Sequence, residues 1–243
     1  MAKQGKFMSG SLGRVVFYEL NGVSIMRSKP VRVKQSRATK ASAKEFGRMS
    51  GYSRLIRMYW ELLGRFSQRD LMLRLNSALL RWNKDSRGDQ QLMSRNLRDL
   101  GSFELNPDCL LARHCMISPK MDLDQPGKVL VTVPAFKPAD VIKSPRGTFL
   151  IKFTWLIVRC NTDPGLEKKS HQSWYAISYT GISAVSDGVA AQRIEMPLNL
   201  LPGDLVLLAL RLTYFTGTEK HPREVTEKKW MPAGVLGAEY REI

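Results

Sequence analysis

Apolar and polar positions change their period twice along this chain, and the changes mark its parts. The first apolar positions form two short β-prone runs, Val15–Leu20 and Val23–Met26, on either side of Asn21-Gly22. Asn-Gly between such runs predicts a two-residue hairpin, because a type I′ turn needs φ > 0 at both central residues. That turn pairs Leu20 with Val23 and Tyr18 with Ile25 on one face. Glu19 with Ser24 and Phe17 with Met26 share the other. Neither face is purely polar, so the hairpin is expected to pack on something.

From about residue 38 to 66 the period becomes helical. Tyr52, Leu55, Ile56, Tyr59, Leu63 and Phe66 make a core-facing stripe. Gly47 and Gly51 each weaken a helix by about 1 kcal/mol relative to Ala, so the segment reads as one helix or two. Ser67 then offers an N-cap, with Asp70 in the first turn. Leu71, Leu75, Ala78, Leu79 and Trp82 form the next stripe, which ends at Asp85-Ser-Arg-Gly88. A third helix is expected over about 90–100, closing at Gly101. The aromatic residues in these stripes are assigned to the core.

Past Gly101 the helical period disappears. Short β-prone runs alternate with turns: 103–105, 128–133, 148–160, 173–180, 190–198, 204–216, 225–230 and 235–240. The breaks carry Pro126-Gly127, Pro164-Gly165, Asp187-Gly188, Pro202-Gly203 and Gly217. This pattern predicts an α+β chain. An N-terminal β-hairpin and helical region, 1–100, is followed by an antiparallel immunoglobulin-like β-sandwich, 101–243.

Apolar residues make up 43% and charged residues 25% of the chain, which suits a globular protein. The N-terminus is basic but has no apolar core of the kind a secretory signal needs. The runs 149–158 and 205–210 are too short to span a bilayer. Cys109, Cys115 and Cys160 are odd in number and sparse, so they suggest buried thiols in a reducing compartment rather than a disulfide framework. Cys109 and Cys115 lack the knuckle spacing and second ligand pair of a structural zinc site. The expectation is a cytoplasmic chain with no membrane partner, cofactor or metal.

Charge changes this picture. Residues 1–120 hold 23 Lys and Arg against 9 Asp and Glu, a net of +14 out of +16 for the whole chain. An excess confined to one half points to a surface that meets a polyanion. Arg27, Lys29, Arg32, Lys34, Arg37 and Lys40 follow the hairpin with no acid among them. The segment fits a solvated linker or an arm along phosphates. As an arm, these six residues contact the phosphates, and Arg54, Arg57 and Arg65 add a helical face.

Catalytic signatures are missing. There is no phosphate-cradling G-x-x-x-x-G-K-[ST], no G-x-S-x-G, no H-E-x-x-H and no deaminase pair of H-x-E with P-C-x-x-C. His114, His171 and His221 lie far apart in sequence, the last two in expected loops.

Ser9-Gly-Ser-Leu-Gly-Arg-Val-Val-Phe-Tyr18, with the Asn-Gly turn and Arg27, resembles the opening of an uncharacterised family of Bacteroidota proteins. Gly101–Asn106, Val131-Thr-Val-Pro-Ala-Phe136 with Pro138, Ser144–Thr148 and Pro232–Ala238 extend the resemblance. The helical middle does not share it. The resemblance implies fold and lineage and carries no catalytic residue. The function expected is non-enzymatic nucleic-acid binding through the N-terminal half, with little sequence preference. The alternative is a structural or assembly subunit, or an adaptor, that meets protein subunits of a particle or a mobile-element-encoded assembly.

Overall fold

In the computed structural model the described residues are all except 1–2, 5–7, 30–34, 65–67, 86–89, 126, 163–173, 198 and 242–243. The chain divides into two compact units, residues 1–45 and 46–243. It is a mixed α+β protein, and every strand pairing is antiparallel.

The first unit is a sheet followed by the start of a helix. Its strands are β1 (Lys3–Gln4), β2 (Met8–Leu12), β3 (Val15–Leu20) and β4 (Val23–Ser28), in that spatial order. Asn21 and Gly22 have φ of 52° and 77°. The β3–β4 register pairs Leu20 with Val23, Tyr18 with Ile25 and Phe17 with Met26, as the turn chemistry requires. Between residues 9 and 29 none is buried.

Helix α1 (Arg37–Trp60) is unbroken despite Gly47 and Gly51. A Cβ at either glycine would meet nothing within 4 Å, so neither marks a close approach. A 3-10 turn at Glu61–Leu63 ends at Gly64, whose φ is 130°. There a Cβ would clash with the guanidinium of Arg211. Helix α2 (Gln68–Asp85) follows where the apolar stripe predicts it, and α3 (Gln90–Gly101) fills the range expected to close at Gly101. The one-turn helix α4 (Leu111–His114) opens the β-rich part.

The strands form two sheets. One is three-stranded, in the order β5 (Lys120–Asp122), β6 (Lys128–Val133), β9 (Gln192–Pro197). A second short helix, α5 (Pro138–Val141), precedes the larger sheet. That sheet contains β7 (Thr148–Asn161), β8 (Trp174–Ala184), β10 (Asp204–Thr218), β11 (His221–Glu224) and β12 (Ala233–Tyr240). Its order is β11-β10-β7-β8, with β12 also paired to β10.

The larger sheet is buried on both faces. Ile151, Phe153, Trp155 and Ile157 of β7, with Val206, Leu208, Leu210 and Leu212 of β10, pack against Val129, Val131 and Met196 of the smaller sheet. The alternate residues Leu156, Val158, Cys160, Leu205, Leu207 and Ala209 pack against Tyr52, Ile56, Trp60, Leu75, Leu79 and Trp82 of the helices. Two-sided burial explains why Trp155–Val158 of β7 and Leu205–Leu210 of β10 read as unbroken apolar runs rather than as alternations. Each such side chain contributes about 1.5–3 kcal/mol of burial.

Two expected strands and one expected loop differ. Residues 103–105 give only an isolated bridge, Glu104 to Gly234. Residues 225–230 end in a 3-10 turn at Lys228–Trp230. His221–Glu224 is an exposed edge strand, not a loop. Its proline and charges are tolerated because only one side of an edge strand needs a partner. The tight reversal uses Gly217, where a Cβ would meet the His221 carbonyl at 2.7 Å.

Candidate nucleic-acid interface

The basic residues of the first unit are placed by two local devices. The hairpin sets Arg27 on the same face as Tyr18, with its guanidinium 5.4 Å from the ring centroid. The Lys29 amide donates to the Arg14 carbonyl at 2.6 Å, which brings Arg14 to the end where the chain leaves the sheet. Arg32 and Lys34 fall in 30–34 and lie outside the described residues, as does Arg65.

The second device is the start of α1. Ser36 caps it, with its Oγ accepting from the Thr39 amide at 3.1 Å. Helix N-termini normally attract acids, because the free amides and the aligned peptide dipoles leave positive charge there. This first turn has no acid. It carries Arg37 and Lys40 instead, both exposed. Lys44 follows one turn later on the same side, also exposed. Arg37 and Lys40 thus raise a positive potential that the helix itself disfavours.

Among the described residues, Arg14, Arg27, Lys29, Arg37, Lys40 and Lys44 form no ion pair. The unit of 45 residues holds ten Lys and Arg against Glu19 and Glu45, a net of +8.

Several cations of the second unit are engaged within the fold. Arg74 bonds Asp70 at 2.8 Å and the Glu104 carbonyl at 2.6 Å, and lies over the Phe103 ring. Arg211 donates to the Leu63 carbonyl at 2.6 Å and pairs with Glu224 at 3.3 Å; burial lowers its pKa. Arg48 donates to Asn83 at 2.8 Å. Of the two expected contact residues here, Arg54 is exposed. Arg57 is half-buried, with its Nε hidden from solvent and without a hydrogen-bond partner among the described residues.

Sequence patterns missed Arg14 and Lys44. Lys44 was findable, being four residues past Lys40 on a helix. Arg14 had no signal beyond its Gly-Arg turn.

Other chemistry is sparse. The three thiols are buried and free. Cys109 Sγ meets His114 Nδ1 at 3.7 Å. Burial pushes that thiol up to about 11, away from an activated nucleophile. The imidazole Nδ1 is also 3.0 Å from the Leu110 carbonyl. A shallow cleft of about 550 Å³ is bordered by Asp122, Asp124 and Glu239. Burial raises the Glu239 pKa, with the charge of Asp124 adding to it. Among the described residues no group of three or more His, Cys, Asp or Glu is arranged to hold a metal ion. No helix among them is long and apolar enough to cross a membrane.

Compared with known proteins, the chain matches no family model, no curated protein and no solved structure.

Proposed function

We propose that this is a non-enzymatic protein that grips nucleic-acid phosphates through its N-terminal unit, with little base preference. The observation that carries the proposal is a set of exposed cations without acidic partners, two of them in a helix turn that disfavours positive charge. A phosphate backbone offers what the fold withholds. Each contact releases condensed counterions and gains affinity that salt removes. Arg27, Lys29, Arg37 and Lys40 are the described contacts, with Arg32 and Lys34 between them in sequence. Arg54, Arg57 and Arg65 extend the set along the chain. Nothing in this chemistry calls for a cofactor. Buried free thiols suit the reducing cytoplasm.

Filter binding to an oligonucleotide across a salt series tests the proposal. Six phosphate contacts predict a log–log slope of about −4 to −5. No retention at about 50 mM salt, or a flat slope, would remove it.

A second reading, a structural or assembly subunit, rests on a separate observation. Leu12, Leu20, Val23 and Met26 of the N-terminal sheet are each more than half exposed. Apolar surface on so small a sheet favours a protein neighbour. In that role the two antiparallel sheets act as an immunoglobulin-like scaffold, and binding responds weakly to salt.

A further inference from the structure

The two faces of the N-terminal sheet differ in charge, and each carries one aromatic ring, Tyr18 on one and Phe17 on the other. By register, Val16, Tyr18 and Leu20 lie opposite Arg27, Ile25 and Val23, and these six share one face. The other face holds Val15, Phe17 and Glu19 opposite Ser28, Met26 and Ser24, and has no cation among those six. On the first face the Arg27 guanidinium lies over the Tyr18 ring. Leu20 and Val23 are 54% and 62% exposed. Lys29 follows on directly, with Arg14 beside it.

An aromatic ring, a stacked guanidinium and exposed apolar side chains on an open sheet, leading straight into a run of cations, make up the chemistry that holds unpaired bases while the backbone is neutralised. A duplex presents phosphates but keeps its base faces stacked, so it leaves this ring and these aliphatic side chains in water. We infer that the Tyr18–Arg27 face is a base-stacking platform and that the protein prefers single-stranded nucleic acid to duplex. The inference rests on the phosphate-binding proposal above and names the form of its ligand. Bases stack on Tyr18 and on the outer plane of Arg27, Leu20 and Val23 cover their edges, and Lys29 begins the phosphate track.

Fluorescence anisotropy with a labelled single strand and with the duplex of the same sequence, at one fixed salt concentration, tests this. The wild type is expected to hold the single strand at least about tenfold tighter. Tyr18→Ala should lower single-strand affinity by about tenfold and leave duplex affinity and the salt slope as they were. Tyr18→Phe should keep the preference. Phe17→Ala, on the same strand but the opposite face, controls for damage to the sheet. Equal affinity for the two forms, or equal losses from Tyr18→Ala and Phe17→Ala, would overturn the platform while leaving phosphate binding intact. Failure to bind either form at low salt would overturn the phosphate-binding proposal with it.

Discussion

Arg37 and Arg211 carry the same side chain into opposite situations. Arg211 is largely buried, bonded to the Leu63 carbonyl and to Glu224. Gly64 leaves it room, since any Cβ there would fall on the guanidinium. Arg37 stands in water at the positive end of a helix, with no acid in its turn. Replacing Arg211 with Ala should therefore destabilise by several kcal/mol, because it strips a buried carbonyl and a packed stem at once. Replacing Arg37 and Lys40 together with Glu should do the reverse, stabilising the helix start by about 0.3–1 kcal/mol each. The same pair should abolish most oligonucleotide binding. Thermal melts beside anisotropy titrations separate the two effects, and a melt that drops with Arg37→Glu/Lys40→Glu would make these residues structural. Trp82, 2% exposed and edge-on to Tyr240 at 5.3 Å, is core, and Trp82→Ala should cost about 3–5 kcal/mol in denaturant unfolding.

At the scale of elements, the cores on either side of the larger sheet bury Cys160 and Cys115, and their titration follows from that. Burial raises Cys115 from 9.0 to about 11, and raises Cys160 further, with the nearby Asp204 charge adding to the effect. The folded chain thus holds these protons more tightly than the unfolded chain does. The contribution of Cys115 to stability is complete below about pH 9 and is lost as pH rises through 11, and that of Cys160 is lost at still higher pH. Urea midpoints measured across that window should fall, and Cys115→Ala should flatten part of the fall. Native thiols should resist alkylation at about pH 8 and react on unfolding.

Local chemistry made much of the element list legible. Asn21-Gly22 announced the hairpin and its register, the apolar stripe from Leu71 to Trp82 announced α2, and Gly101 announced the end of α3. What local chemistry could not announce is which faces of a strand are covered. Leu156 and Ile157 look alike in sequence, yet one packs on helices and the other on the smaller sheet. A strand covered on both sides has no period to read. The short strand β5 and the edge strand β11 carry too few apolar residues to stand out, and Pro222 argues against a strand unless it is known to lie at an edge. Of the candidate site, the cations were visible as composition. The helix cap at Ser36 that sets Arg37 and Lys40 in a first turn, and the ring beneath Arg27, became visible only in three dimensions.

For the whole molecule, the net charge of +16 is unevenly spent. Cations of residues 46–243 such as Arg74, Arg211 and Lys128 bond carboxylates or carbonyls. Among the described residues, Arg14, Arg27, Lys29, Arg37, Lys40 and Lys44 of residues 1–45 form no ion pair, and the proposal gives them to phosphates. Replacing Arg32, Lys34, Arg37 and Lys40 together with Ala, and repeating the salt titration, tests that division most directly. Affinity should fall by similar factors for all sequences, the salt slope should flatten by about three to four units, and the melting temperature should stay where it was. An unfolded variant, or a folded one that binds with the wild-type slope, would contradict it and turn this segment into a strap that serves the fold.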